Sequence, residues 1–488
     1  MSSVIMGTMR LRDLAQHPVL HWAGRATLWL AATVLVSIRL ISPLGLPRLT
    51  MLGPLGAAAV GLYVSGPFRA HSRVPAGIVV LALIPLPAAV LLSLLALAVY
   101  DGRVFRTRGL LLARTLLGYP LTVRDPDRLL HLHVLGPTGS GKSTTALFPW
   151  IRQDIERGVG ITVIEPKGDL NGAARREALN RGRTVVPFDP LAPACPHVNL
   201  LAGDAAAAAE ALALALDQVE PGAHPFYRTL SRVVLVHAVK LVKAVFGDDA
   251  GLEVVERVVH EASFRDRLRK AARDPAIDQF FEQEFGALPP GRQLDLEIGL
   301  LNRLRSLRMH PGAARVLAAP FDFTFDEVIR SRLVLLATLS PAELGIGARS
   351  LGVLFWHLFV QAAYRAGPTG QLRHVLYLDE FHQYVSPDLA DVLAMIRGYG
   401  VSLVLAHQDL AQLTPELQAA VLANARTRLV LGGTAAADLR RLEREAVPSP
   451  FPEARYLPRG RAVLIPTVDG RQQPPRLVRL APPAASEP

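Results

Sequence analysis

Eight residues, Gly136-Pro-Thr-Gly-Ser-Gly-Lys-Ser143, limit what this chain can become more than any other feature. They read G-x-x-x-x-G-K-[ST] and stand between an apolar run, His131 to Leu135, that predicts a strand and a helix-compatible run, Thr145 to Asp154. That is the setting a phosphate-gripping loop requires. Phosphate binding accounts for the residue types. Gly136, Gly139 and Gly141 let backbone N–H groups turn inward around phosphate oxygens, and the positive end of the following helix adds to the field. Lys142 offers a point charge to the β and γ phosphates of ATP, and Ser143 a hydroxyl to Mg²⁺. The expected nucleotide-binding set is Gly136, Thr138, Gly139, Ser140, Gly141, Lys142, Ser143 and Thr144. The chain has five lysines against 48 arginines, and one of the five occupies the phosphate position, where a bulkier guanidinium substitutes poorly.

A loop of this kind needs a second strand end to hold magnesium and to polarise water. Val375 to Leu378, followed by Asp379-Glu380, has that form, with Asp379 the expected partner of the metal and Glu380 of the attacking water. An Asp-Glu pair that merely caps a helix is the plainer reading of the same residues. Further apolar runs at 161–164, 184–186, 333–337, 401–406 and 428–431 alternate with helical stretches. The pattern predicts an α/β fold with a doubly wound parallel sheet and ligands at the strand C-terminal edge. The run 401–406 ends in His407-Gln408, and Gln408 is placed to bond the γ-phosphate or its water, or to be an ordinary loop amide.

Ahead of this core the chain changes character. Residues 1–120 carry eleven arginines, no lysine and two acids, while charge is nearly balanced over the rest, so the net +11 belongs to the apolar N-terminal region. There it reads as membrane topology rather than as a nucleic-acid face. Residues 74–100 contain no charged side chain and 49–68 form a second uncharged run, each long enough to cross a lipid bilayer. A run at 26–38 stops at Arg39 and reads as a partial or interfacial leg. The arginine flanks put both ends of the hairpin in the cytoplasm. Cys195 is the one cysteine, which excludes an internal disulfide and a cysteine metal cluster.

The ordered set GPTGSGKS (136–143), VIEPKGDL (163–170), FDP (188–190), HPFYR (224–228), LYLDEF (376–381), RGYGVSLVLAHQ (397–408) and NARTR (424–428) resembles the TraG/TraD-like coupling ATPases of type IV secretion and conjugation, within the FtsK/HerA-like P-loop translocases. Glu165 stands where that family usually has Asp, and is a rival to Glu380 as the base. The resemblance implies a RecA-like P-loop NTPase domain (119–200 and 316–480), an inserted all-α domain (201–315), a membrane anchor (1–118) and a disordered tail (481–488). It implies a ring, expected to be a hexamer, with ATP sites between subunits. In such a ring Arg397, with Arg426 the second candidate, reaches a neighbour's phosphates. Single-stranded DNA or a relaxase–DNA complex, channel components of the secretion system and the lipid bilayer are the implied partners.

The insertion is not basic. Residues 201–310 hold fourteen Lys/Arg and sixteen Asp/Glu, with local clusters at Arg265, Arg267, Arg269, Lys270 and Arg273 and at Arg303, Arg305 and Arg308. Leu294, Ile298, Leu301 and Leu304 predict one apolar helical stripe. Three readings remain: a motor for DNA, the same motor for protein effectors, and a nucleotide-binding membrane scaffold with negligible turnover. An ABC-type transporter is excluded by the lack of an L-S-G-G-Q signature.

Overall fold

The computed structural model describes residues 109–217, 225–386, 388–444 and 454–481. The expected membrane segments at 26–38, 49–68 and 74–100, and the tail after 481, lie outside the described residues.

Alternating apolar runs build one large sheet. Its strands are β1 (Gly109–Thr115), β2 (Pro120–Arg124), β3 (Leu132–Leu135), β4 (Gly160–Glu165), β5 (Val185–Phe188), β6 (Val334–Thr338), β7 (Thr369–Asp379), β8 (Tyr399–His407), β9 (Thr427–Leu431), β10 (Arg461–Ile465) and β13 (Arg476–Arg479), while β11 (Thr467–Val468) and β12 (Arg471–Gln472) form a separate ribbon. The order is β2-β1-β13-β10-β9-β3-β8-β7-β4-β6-β5. From β9 to β5 every pairing is parallel, and these strands include every run expected from the sequence. The remaining four are antiparallel, so the sheet is mixed rather than the wholly parallel one expected. The links explain part of this. β1 returns as β2 through residues 116–119, far too few for the crossover a parallel pair demands. The sheet also begins at Gly109, inside the stretch assigned to the anchor.

Period-two alternation divides the sheet's two cores. In β7, Val375 and Tyr377 enter the core under helices α1 (Phe148–Glu156) and α2 (Asp169–Asn180), while Leu376 and Leu378 enter the other. Helices between Ala205 and Val316 extend the second core, among them α3 (Ala205–Asp217), α4 (Pro225–Phe246), α5 (Leu252–His260), α6 (Ala262–Ala272) and α7 (Pro290–Leu307). On α7 the expected stripe is shifted. Leu301 and Leu304 are buried with Leu296, Leu300 and Leu307, whereas Leu294 and Ile298 are exposed. Helix α8 (Ile346–Arg365) joins insertion to sheet. It is long and apolar enough to cross a membrane, yet 78% of its apolar window is buried inside the protein, as expected of a helix that is apolar all round and central.

One polar cluster ties these layers together. Arg128 donates to both oxygens of Asp154 on α1, at 2.7 and 2.6 Å, and the Tyr377 hydroxyl donates to the same carboxylate at 2.7 Å. All three side chains are fully buried.

Candidate active site

The phosphate loop leaves β3 at the sheet edge where parallel strands end. Gly139 and Gly141 have φ of +81° and +94°, a region open to glycine at little cost. The chain then winds through a wide helical turn, Lys142–Leu147, before α1 begins. Gly136 donates its N–H to the carbonyl of His407 at 3.2 Å, which fixes the loop to the end of the neighbouring strand β8.

Strand order brings the second motif to the loop. β7 is separated from β3 only by β8, and its last residue is Asp379. Ser143 Oγ donates to Asp379 Oδ2 at 3.0 Å. Lys142 is nearly buried, and its Nζ donates to the Gly136 carbonyl and to Glu380 Oε1, each at 3.0 Å. Gln408, at the end of β8, donates from Nε2 to Glu380 Oε1 at 3.2 Å. Five expected residues, Lys142, Ser143, Asp379, Glu380 and Gln408, therefore meet in one network. Glu380 holds its place with φ +55°, a left-handed backbone that is uncommon for a residue with a Cβ and concentrates at functional sites.

Two oxygens in this network lack partners. Asp379 Oδ1 and Glu380 Oε2 are buried and accept no hydrogen bond, a cost that native structures leave standing where a ligand is to be met. Burial pushes the Asp379 carboxyl up, while Lys142 and the Ser143 hydroxyl draw it back. A cavity of about 230 Å³ opens in front of these groups. Its hard oxygen donors, one carboxylate and one hydroxyl, fit Mg²⁺, which completes its shell with water and substrate phosphates. Among the described residues there is no cluster of three or more His, Cys, Asp or Glu able to hold a metal.

Glu165 also lines the cavity, with Lys167 and Asp169. Its carboxylate is 2% exposed and accepts the N–H of Asn171 at 2.5 Å. Burial raises it to about 7, against the pull of that N–H and with a contribution from Asp379. It makes no hydrogen bond to Lys142 or Gln408, the two groups that hold Glu380.

Arg397 is not brought to this network. It lies in the turn Ile396–Gly398, before β8, while the loop lies beyond the far end of that nine-residue strand, about 30 Å away at the usual rise. Arg426, just before β9, is likewise at that edge, donating to the Gly470 carbonyl at 2.7 Å. Sequence reasoning missed Arg459, which lines the cavity and donates to Thr144 Oγ1 at 3.1 Å, and the buried pair His133–His407, whose Nε2 atoms are 2.8 Å apart behind the loop. The two-residue spacing of His133 from Leu135 and the adjacency of His407 to Gln408 were the available signals for the pair; Arg459 had none.

Residues 373–442, which span β7 through β9 and include Asp379, Glu380, Arg397 and Gln408, match the family model described as the TraM recognition site of TraD and TraG. Over these residues the chain is similar to TraD and TraG. Its fold is that of the bacterial conjugative coupling protein TrwBdeltaN70, with a TM-score of 0.57 at 18% identity over 80% of this chain and 94% of that one. The plasmid coupling protein TrwB in complex with ADP and Mg²⁺ gives 0.55 at 19%, over 78% and 92%. VirB4 of Thermoanaerobacter pseudethanolicus gives 0.51 at 17%, over 78% and 97%. No curated protein matches the chain.

Proposed function

We propose that this TraG/TraD-like chain is a membrane-anchored ATPase that couples ATP hydrolysis to the recruitment and translocation of DNA or nucleoprotein into a type IV secretion channel. The observation that carries the reading is the meeting of Lys142, Ser143, Asp379 and Glu380 around one cavity, with Gln408 hydrogen-bonded to Glu380. That constellation favours a hydrolase over a scaffold that only binds nucleotide, because it has groups for the water as well as for the phosphates.

Lys142 exchanges Glu380 for the β and γ phosphates of the entering nucleotide. Ser143 and Asp379 are the protein groups that would hold Mg²⁺, which when bound neutralises charge on the transferring phosphoryl group. Glu380 accepts the proton of the attacking water at Oε2, which takes no hydrogen bond and has His382 Nδ1 3.8 Å away, and Gln408 keeps the carboxylate turned toward that water. Arg397 cannot serve this site from its own chain, so it acts on the site of a neighbouring copy, which makes hydrolysis depend on ring assembly. The TrwB coupling protein is known in complex with ADP and Mg²⁺, and the same pair is the nucleotide and metal proposed here. The segment at 373–442 matches the model of a TraM recognition site in TraD and TraG, and a relaxase–DNA complex is the partner class we assign to it.

Protein cargo is the second reading, favoured by the insertion. Four of the eight basic residues in its clusters are paired internally: Arg265 with Glu297, Arg269 with Asp266, Asp278 and Glu282, and Arg305 and Arg308 with Glu256. Such a surface has little to offer a phosphate backbone. Hydrolysis by the full chain in lipid nanodiscs, with and without single-stranded DNA at modest salt, decides between them. Stimulation by DNA supports the first reading, and a flat response the second. Turnover no higher than that of Lys142→Ala establishes the scaffold and removes the motor.

A further inference from the structure

The cavity has two ends with different chemistry. At one end stand Lys142, Glu380 and the Ser143–Asp379 pair, with Gln408 bonded to Glu380, the groups that act where a phosphoryl bond breaks. A triphosphate whose last phosphate lies there must leave the loop along its other side, where Gly141 and Thr144 are. The backbone of such a loop cradles the α and β phosphates, and its lysine reaches the β and γ phosphates.

That second side is covered by Arg459. Its Nη2 donates to Thr144 Oγ1 at 3.1 Å, and a Cβ built on Gly141 would lie 3.2 Å from its Nε. The guanidinium has no carboxylate partner among the described residues, in contrast to Lys142, which is tied to Glu380. It is also held from behind. The segment 454–460 crosses Gly432 and Gly433, with Gly433 donating its N–H to the Arg455 carbonyl at 3.2 Å. At Gly432 a Cβ would run into the backbone of Leu457, and Leu457 packs against the small core formed by Leu135, Val430 and Val463. β10 then starts at Arg461, whose N–H donates to the Pro458 carbonyl at 3.1 Å. A cation with no counter-ion among the described residues, fixed on a phosphate loop by its own chain, has the geometry of an anion clamp, because a guanidinium presents several N–H groups in a planar fork suited to phosphate oxygens.

We propose that Arg459 binds the α and β phosphates of the nucleotide in its own subunit, trading the Thr144 hydroxyl for phosphate oxygens, and so sets the affinity for nucleoside diphosphates and triphosphates alike. The inference rests on the ATPase reading above and deepens it. The two arginines then have separate roles. Arg459 holds the part of the ligand that persists after hydrolysis, and Arg397 meets a neighbour's phosphates across the interface.

The test is calorimetric titration of the full-length chain with ADP and with a non-hydrolysable ATP analogue, in the wild type and in Arg459→Ala, Arg459→Lys and Lys142→Ala. Arg459→Ala is expected to weaken both ligands about tenfold and by the same factor, the size of one lost charge-assisted contact, and Arg459→Lys to fall between it and the wild type. Unchanged affinity for both ligands overturns the proposal, and so does a loss confined to the triphosphate, which places the arginine on the γ phosphate. A melting temperature of ligand-free Arg459→Ala equal to wild type shows that the fold is intact; if it falls, the Arg459→Lys titration, which keeps the charge in place, decides by the same criteria. If the wild type binds neither ligand, or Lys142→Ala binds as the wild type does, the ATPase reading itself fails; if those controls behave and only Arg459→Ala binds normally, this inference alone fails.

Discussion

Glu380→Gln separates nucleotide binding from hydrolysis in this chain. In the ligand-free site Glu380 Oε1 takes hydrogen bonds from both Lys142 and Gln408, with the Lys142 and Glu380 side chains 7% and 12% exposed. A 3.0 Å ion pair at an effective dielectric near 20 is worth about 5 kcal/mol of gross attraction. ATP must dissolve that pair. Most of the attraction returns when Lys142 meets phosphate, but the freed carboxylate then faces the γ phosphate with like charge. A glutamine keeps the shape and an oxygen for both donors while removing the charge, so the variant is expected to bind the ATP analogue about tenfold more tightly, or about 1.4 kcal/mol. It also loses the proton acceptor, which lowers turnover by about 10² to 10⁴. Fluorescent-nucleotide anisotropy measures the first effect and steady-state phosphate release the second. Turnover within about threefold of wild type would transfer the base to Glu165, and weaker binding would show that the Lys142–Glu380 pair is no barrier to entry.

Three other perturbations probe separate parts of the molecule. Asp154→Ala strands the fully buried Arg128 and Tyr377 hydroxyl, and thermal unfolding is expected to show a loss of about 3–5 kcal/mol; a loss under 1 kcal/mol contradicts the role given to that cluster. Glu165 is raised by burial from 4.5 to about 7, so the folded chain retains a proton that the unfolded chain releases. Stability therefore falls as pH climbs from about 4.5 to about 7, by about 3 kcal/mol in all. Glu165→Gln is expected to flatten that slope and to melt higher than wild type above pH 7, whereas an unaltered slope would place the titration elsewhere. Finally, Lys142→Ala and Arg397→Ala chains, each inactive alone, are expected to regain phosphate release when mixed, since an intact loop in one chain then adjoins an intact arginine in another; no recovery would remove Arg397 from the interface.

Much of the site was open to sequence reading because its parts are local. The glycines at 139 and 141 announce positive φ, and the loop requires it. The runs that became β3, β4, β7, β8 and β9 are short, apolar and punctuated, as buried parallel strands are. The antiparallel flank was not found. β10 and β13 are short, and their partners were fixed by turns and by the edge of β9 rather than by any period of their own. The stripe on α7 was misplaced for a related reason. The 3.6-residue period allows more than one apolar face on that helix, and packing against α5 and α4 chose the one carrying Leu296, Leu300 and Leu304.

What the residues alone determined was a list of groups with phosphate, metal and water chemistry, together with the alternation that makes a layered α/β fold. Which of those groups meet was decided in three dimensions. The interposition of β8 between β3 and β7 carries Glu380 and Gln408 to Lys142 and leaves Arg397 at the opposite edge, and a strap ahead of β10 lays Arg459 on the loop. The reason is one of range. Backbone preference and side-chain period act over a few residues, whereas a site drawn from positions 142, 380, 408 and 459 exists only after the order of strands has fixed which chain ends lie side by side.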